Sequence, residues 1–184
     1  MTSAKDIACV FEYLSLDSDG KDIEKTRLLK LLYFAQGYTL AELDHELFYD
    51  EIEAWDYGPV IPYIYHNFDD IIKFAKAKGI KDIHLSSDEM DIIMDVWDLY
   101  GGYSAKELVN LTHKDNTPWS ATYKPNAKNV HIPQNLIKQY FSHPENRLKS
   151  VFKLEGIPVV DALPSDEYYP DEDAVWEALL NDAR

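Results

Sequence analysis

Three neighbouring carboxylates, Glu51, Glu53 and Asp56, are the side chains whose type and spacing could divide the roles of general acid and general base. On a half-exposed strand, however, alternation turns Glu51 and Glu53 to the same solvent side, where like charges need no function. The six histidines form no H-x-x-x-H or H-E-x-x-H set, and Cys9, the single cysteine, leaves no second thiolate for zinc and no intrachain disulfide. Cys9 lies in an apolar helical pattern and reads as a small buried hydrophobe. His113 falls just after a helical run, where the negative end of the helix dipole favours it as a structural residue. Asp17-Ser18-Asp19-Gly20 lacks the later ligands of a calcium loop. There is no glycine-rich phosphate loop, no G-x-S-x-G elbow and no Cys/His pair. The expectation is a protein that is not an enzyme and uses no metal and no cofactor.

The elements that position these residues follow from periodicity. Ser3 and Asp6 suit the start of a first helix, whose stripe is Ile7, Val10, Phe11 and Leu14. Asp17 to Gly20 ends it with turn chemistry. Asp22 reads as the cap of a second helix, apolar from Leu28 to Leu43 over more than one face and therefore central. Leu47-Phe48-Tyr49 and Ile52-Glu53-Ala54-Trp55 read as a two-stranded hairpin turning at Asp50-Glu51. Tyr57-Gly58-Pro59 is a rigid corner that holds Trp55 against the central helix, and its aromatic flank suits recognition.

Pro62 opens a third helix that Gly79 stops. Ser86 to Glu89 and Ser104 to Glu107 are capping boxes for two more. Thr117-Pro118 and Ile132-Pro133 each look like a cap with Pro at the first helical position. The fold class is mainly α (α+β), a compact helical domain around a central apolar helix with a small β hairpin. Residues 1–143 form the domain. Residues 144–184 form an acidic extension, with strands at Val151–Leu154 and Ile157–Val160 and a last helix from Asp171 to Asn181.

With 18 Lys and Arg against 33 Asp and Glu, the chain carries a formal net charge of −15, which repels phosphate backbones. No direct nucleic-acid partner is expected. A solvated acidic surface explains solubility; complementarity to a basic protein partner is the sharper reading. No run is apolar for long enough to span a bilayer, and no basic segment precedes an apolar one at the N-terminus, so no membrane partner and a cytoplasmic location are expected.

Arg27-Leu28-Leu29-Lys30-Leu31-Leu32-Tyr33-Phe34-Ala35-Gln36-Gly37, followed by Phe48-Tyr49-Asp50-Glu51-Ile52-Glu53-Ala54-Trp55-Asp56-Tyr57-Gly58-Pro59-Val60, resembles the Panacea domain, also called the SocA-like antitoxin domain. Leu111-Thr112-His113-Lys114-Asp115 with Pro118-Trp119 resembles that family's second motif. The likeness extends over about residues 4 to 142. It implies a mainly α fold with a small hairpin, found in phages, prophages and bacterial chromosomes. It also implies an antitoxin of a type II toxin–antitoxin pair, neutralising a toxin encoded beside it by direct contact.

One family member instead delivers its toxin to a ClpXP-type protease, so a proteolytic adaptor, with a protease as second partner, is the alternative. An enzyme using His113 with Glu53 or Asp56 is the third reading. The family has no established catalytic residues, and none are assigned here. Lys30, Tyr33, Trp55, Gly58, Pro59, His113 and Trp119 are expected to be structural. Glu51, Glu53, Asp56 and Tyr57, with Asp166 and Glu167 of the extension, are expected to meet the partner.

Overall fold

Nearly every side chain from Leu28 to Leu40 of helix α2 (Lys25–Glu42) is buried, including Lys30, Gln36 and Thr39. A helix buried on all faces needs neighbours all round it. In the computed structural model, which describes residues 2–148, they come from α1 (Ala4–Asp19), β1 (Glu53–Trp55), β2 (Gly58–Val60), α3 (Pro62–Lys78), α4 (Ser87–Tyr100), α5 (Ala105–Thr112), α6 (Pro118–Thr122) and α7 (Gln134–Ser142). Among the described residues the fold is mainly α with one antiparallel hairpin, as expected. The strands and last helix expected beyond residue 150, and Asp166 and Glu167, lie outside the described residues. Among the described residues no helix is long and apolar enough to cross a membrane.

The core is one cluster built on α2. Leu28, Leu31 and Leu32 are fully enclosed, and burying each such side chain contributes about 1.5–3 kcal/mol. Phe141 of α7 meets Tyr33 and Tyr38 edge-on at ring-centroid distances of 5.6 and 4.7 Å, and Tyr100 of α4 stacks on Phe34 at 4.5 Å. A Cβ added at Gly37 would lie 2.3 Å from the Phe141 ring, so this glycine is what lets α7 approach α2.

Helix ends largely follow the sequence. Ser3 with Asp6, Ser86 with Glu89, Ser104 with Glu107, and Thr117 with Ser120 form capping boxes, each cap contributing about 1 kcal/mol. Pro62 sits in the first turn of α3, and Gly79, at φ 65°, ends it. Asp22 does not cap α2. Glu24 takes that position without a side-chain bond, while Asp22 pairs with Lys76 of α3. The Ile23 N–H goes instead to Glu12 Oε2 at 2.9 Å, and the burial this imposes pushes the Glu12 carboxyl above its usual range. Pro133 precedes α7 as its N-cap, one position earlier than expected.

The hairpin is displaced from its expected place. It turns at Asp56-Tyr57, with Glu53 opposite Val60, Ala54 opposite Pro59 and Trp55 opposite Gly58. Residues 47–49 form no strand because Gln36 of α2 satisfies their backbone: its Oε1 accepts from Leu47 and Phe48 N–H at 3.0 and 3.1 Å, and its Nε2 donates to the Phe48 carbonyl at 3.1 Å. Asp50 serves the start of α1, accepting from Ala4 N–H at 2.8 Å, and so is not the turn.

Candidate functional site

The two sequence motifs meet at the hairpin and hold its backbone. Trp119 Nε1 donates to the Trp55 carbonyl at 2.8 Å, His113 Nε2 lies 3.1 Å from the Asp56 carbonyl oxygen, and Lys30 Nζ donates to the Pro59 carbonyl at 2.8 Å. Three side chains from α2, the end of α5 and α6 thus grip three carbonyls around a two-residue turn. Gly58 makes the grip possible. Its φ of 97° disfavours a side chain, and a Cβ there would lie 2.7 Å from Thr112 Oγ1 and 3.0 Å from Lys30 Cε.

Each donor is itself fixed. His113 follows α5 as its C-cap, its Nδ1 2.7 Å from the Val109 carbonyl oxygen, and its ring lies 3.8 Å, centroid to centroid, from that of Trp119. Trp119 in turn stacks on Tyr123 at 4.7 Å, and Tyr123 Oη donates to Asp56 Oδ1 at 2.7 Å. Lys30 is only 1% exposed, and burial brings its ammonium down to a pKa of about 7. Proximity of these groups supplies rigidity. Both ring nitrogens of His113 face backbone oxygens, so it does not point at a carboxylate as a catalytic base would.

The residues expected to meet a partner separate into different roles. Glu51 is exposed and pairs with His131 Nδ1 at 2.9 Å. Glu53 is 8% exposed and accepts from Trp55 Nε1 at 2.8 Å, so Glu51 and Glu53 do not share a solvent face. Glu51 precedes β1, whereas Glu53 lies within it, and β1 has a neighbour on each edge. Ala54 N–H donates to the Val130 carbonyl and Ile132 N–H to the Ile52 carbonyl, both at 2.8 Å, and β2 pairs on the opposite edge. Asp56 is exposed but engaged with Tyr123. Tyr57 is 76% exposed at the tip.

Of the expected structural residues, Tyr33 is in the core and Trp55 packs against it. Trp55 is half-buried and packs edge-on against Tyr65 and His66 of α3, at 5.0 and 6.1 Å. Tyr123 and the α3 aromatics belong to the site, yet no short motif marks them. Only Tyr123, a turn after Trp119 in the same helical register, carried a usable signal. Among the described residues no group of His, Cys, Asp or Glu side chains is placed to hold a metal ion. Cys9 is buried, which raises its thiol pKa to about 11 and removes it as a nucleophile at neutral pH.

The residues that lock the hairpin fall within the span that matches a known family. The family described as antitoxin SocA-like, Panacea domain, matches residues 28–120, half of the chain, and the chain belongs to it. The matched span runs from the start of the buried face of α2 through Trp119, so every clamp donor lies inside it. Among curated proteins, Antitoxin SocA of Caulobacter vibrioides (strain NA1000 / CB15N) is 32% identical over 115 residues. That match covers 53% of this chain and 58% of the relative, less than two thirds of the relative's length. No solved structure matches the chain.

Proposed function

We propose that this chain is an antitoxin that neutralises a cognate protein toxin by direct contact, without chemistry of its own. The observation that carries the reading is family membership, joined to a relative that is itself named an antitoxin. The site agrees with it in kind. Its polar groups hold backbone in place, which suits a binding surface prepared before its partner arrives. The net charge of −15 favours a toxin with a basic face, as a toxin acting on RNA would carry.

The test is genetic. The small reading frame adjacent to this gene is expressed alone and then together with this chain in the same host. Growth arrest alone and growth restored together is the expected result. A neighbour that is harmless alone, or toxicity that this chain does not relieve, would overturn the proposal.

A further inference from the structure

Resting on the antitoxin reading, we infer that Tyr57 is the anchor inserted into the toxin, and that the toxin's surface around the recess accepting it is basic. The sheet itself offers a partner little to pair with. Ala54 N–H points away from β2 toward Val130, so its opposite residue, Pro59, turns its own peptide groups to the outer edge of β2. Proline has no N–H to give there, and its carbonyl is taken by Lys30. The edge of β2 is closed, which excludes strand addition at that edge and leaves side chains at the tip to make the contact.

Among the exposed aromatic side chains Tyr57 stands apart, at 76% exposure against 58% for Tyr49 and 50% for Tyr63. Phe74 lies under Lys5, Tyr65 packs against Trp55 and His66, and Tyr103 packs against Tyr100. Tyr57 is the most exposed of the large hydrophobic residues described, and the turn that carries it is fixed by three side chains at the carbonyls of Trp55, Asp56 and Pro59. A rigid aromatic loses little freedom when it enters a pocket, which is the property shared by residues that dominate interfaces. The choice of a basic surround follows from charge. Toward a chain of net charge −15, a basic face is attracted and an acidic one repelled, and cations also favour the face of a tyrosine ring.

The experiment is calorimetry of the full chain against the purified product of the adjacent reading frame, with melting temperature as a check on folding. Tyr57→Ala is expected to weaken binding by about thirtyfold or more at an unchanged melting temperature. Phe74→Ala, an exposed aromatic at the far end of α3, is expected to stay within about twofold. Raising salt from about 50 to 500 mM is expected to weaken the wild type by about tenfold or more. Wild-type binding that Tyr57→Ala leaves intact overturns this inference alone. Affinity indifferent to salt overturns the basic partner. A wild-type chain that does not bind overturns the antitoxin reading and the inference with it.

Discussion

Lys30 shows how one side chain ties the sequence motif to the site. An ammonium group enclosed to 99% would be costly unless it replaced lost water, and the Pro59 carbonyl supplies one strong acceptor. That compensation is partial, since burial still lowers its pKa from 10.5 to about 7. Between those two values the unfolded chain holds the proton that the folded chain has released. Stability contributed at this position therefore rises with pH across the window and is lowest below pH 7. Cys9, raised from 9.0 to about 11, acts in the opposite sense only at higher pH. Lys30→Met removes the titration, so the stability of the wild type relative to this variant is expected to climb with pH from 7 to about 8.5. The slope should approach roughly 1.4 kcal/mol per pH unit. Urea denaturation of both proteins at several pH values measures it. A difference independent of pH would mean that Lys30 is charged alike in both states.

At the scale of elements, the helices were legible because their signals are local. Capping residues, proline at a first turn and apolar stripes at helical spacing all act within a few residues. The hairpin was misplaced because its determinants are distant in sequence. Gln36 takes the backbone of Leu47 and Phe48, Ala4 takes Asp50, and the Val130–Ile132 segment supplies β1 with its second neighbour. Nothing in the alternation of residues 47–55 records those contacts, which is also why Glu53 reads as exposed and is buried. The packing of α7 on α2 was hidden in the same way, in a single glycine. Gly37→Ala forces a methyl against the Phe141 ring, which meets Tyr33, Phe34 and Tyr38 edge-on and must shift to admit it. Overpacking of this kind costs about 1–3 kcal/mol. Gly102→Ala, with nothing within 4 Å of the added atom, is the matched control and is expected to be near neutral. Thermal melts of the two variants make the comparison. Equal melting temperatures would show that α7 does not depend on this close approach.

Over the whole molecule, residues 1–151 form one compact unit, and it contains α2, the hairpin, all three clamp donors and Tyr57. The segment beyond carries Asp161, Asp166, Glu167, Asp171, Glu172 and Asp173, and its expected share in partner binding is a matter of charge. Charge spread over a surface acts mainly on the rate of encounter, whereas a buried anchor acts on the rate of release. The two contributions are therefore separable by kinetics. A chain ending at Val151 is expected to melt cooperatively, because its core is complete. Toward the toxin it should associate more slowly at low salt, by up to about tenfold, and dissociate at the wild-type rate. Tyr57→Ala should show the reverse, with association little changed and dissociation much faster. Surface plasmon resonance on both variants distinguishes these patterns. Faster release from the shortened chain would place part of the anchoring contact in the acidic segment, with Asp166 and Glu167 the first residues to replace.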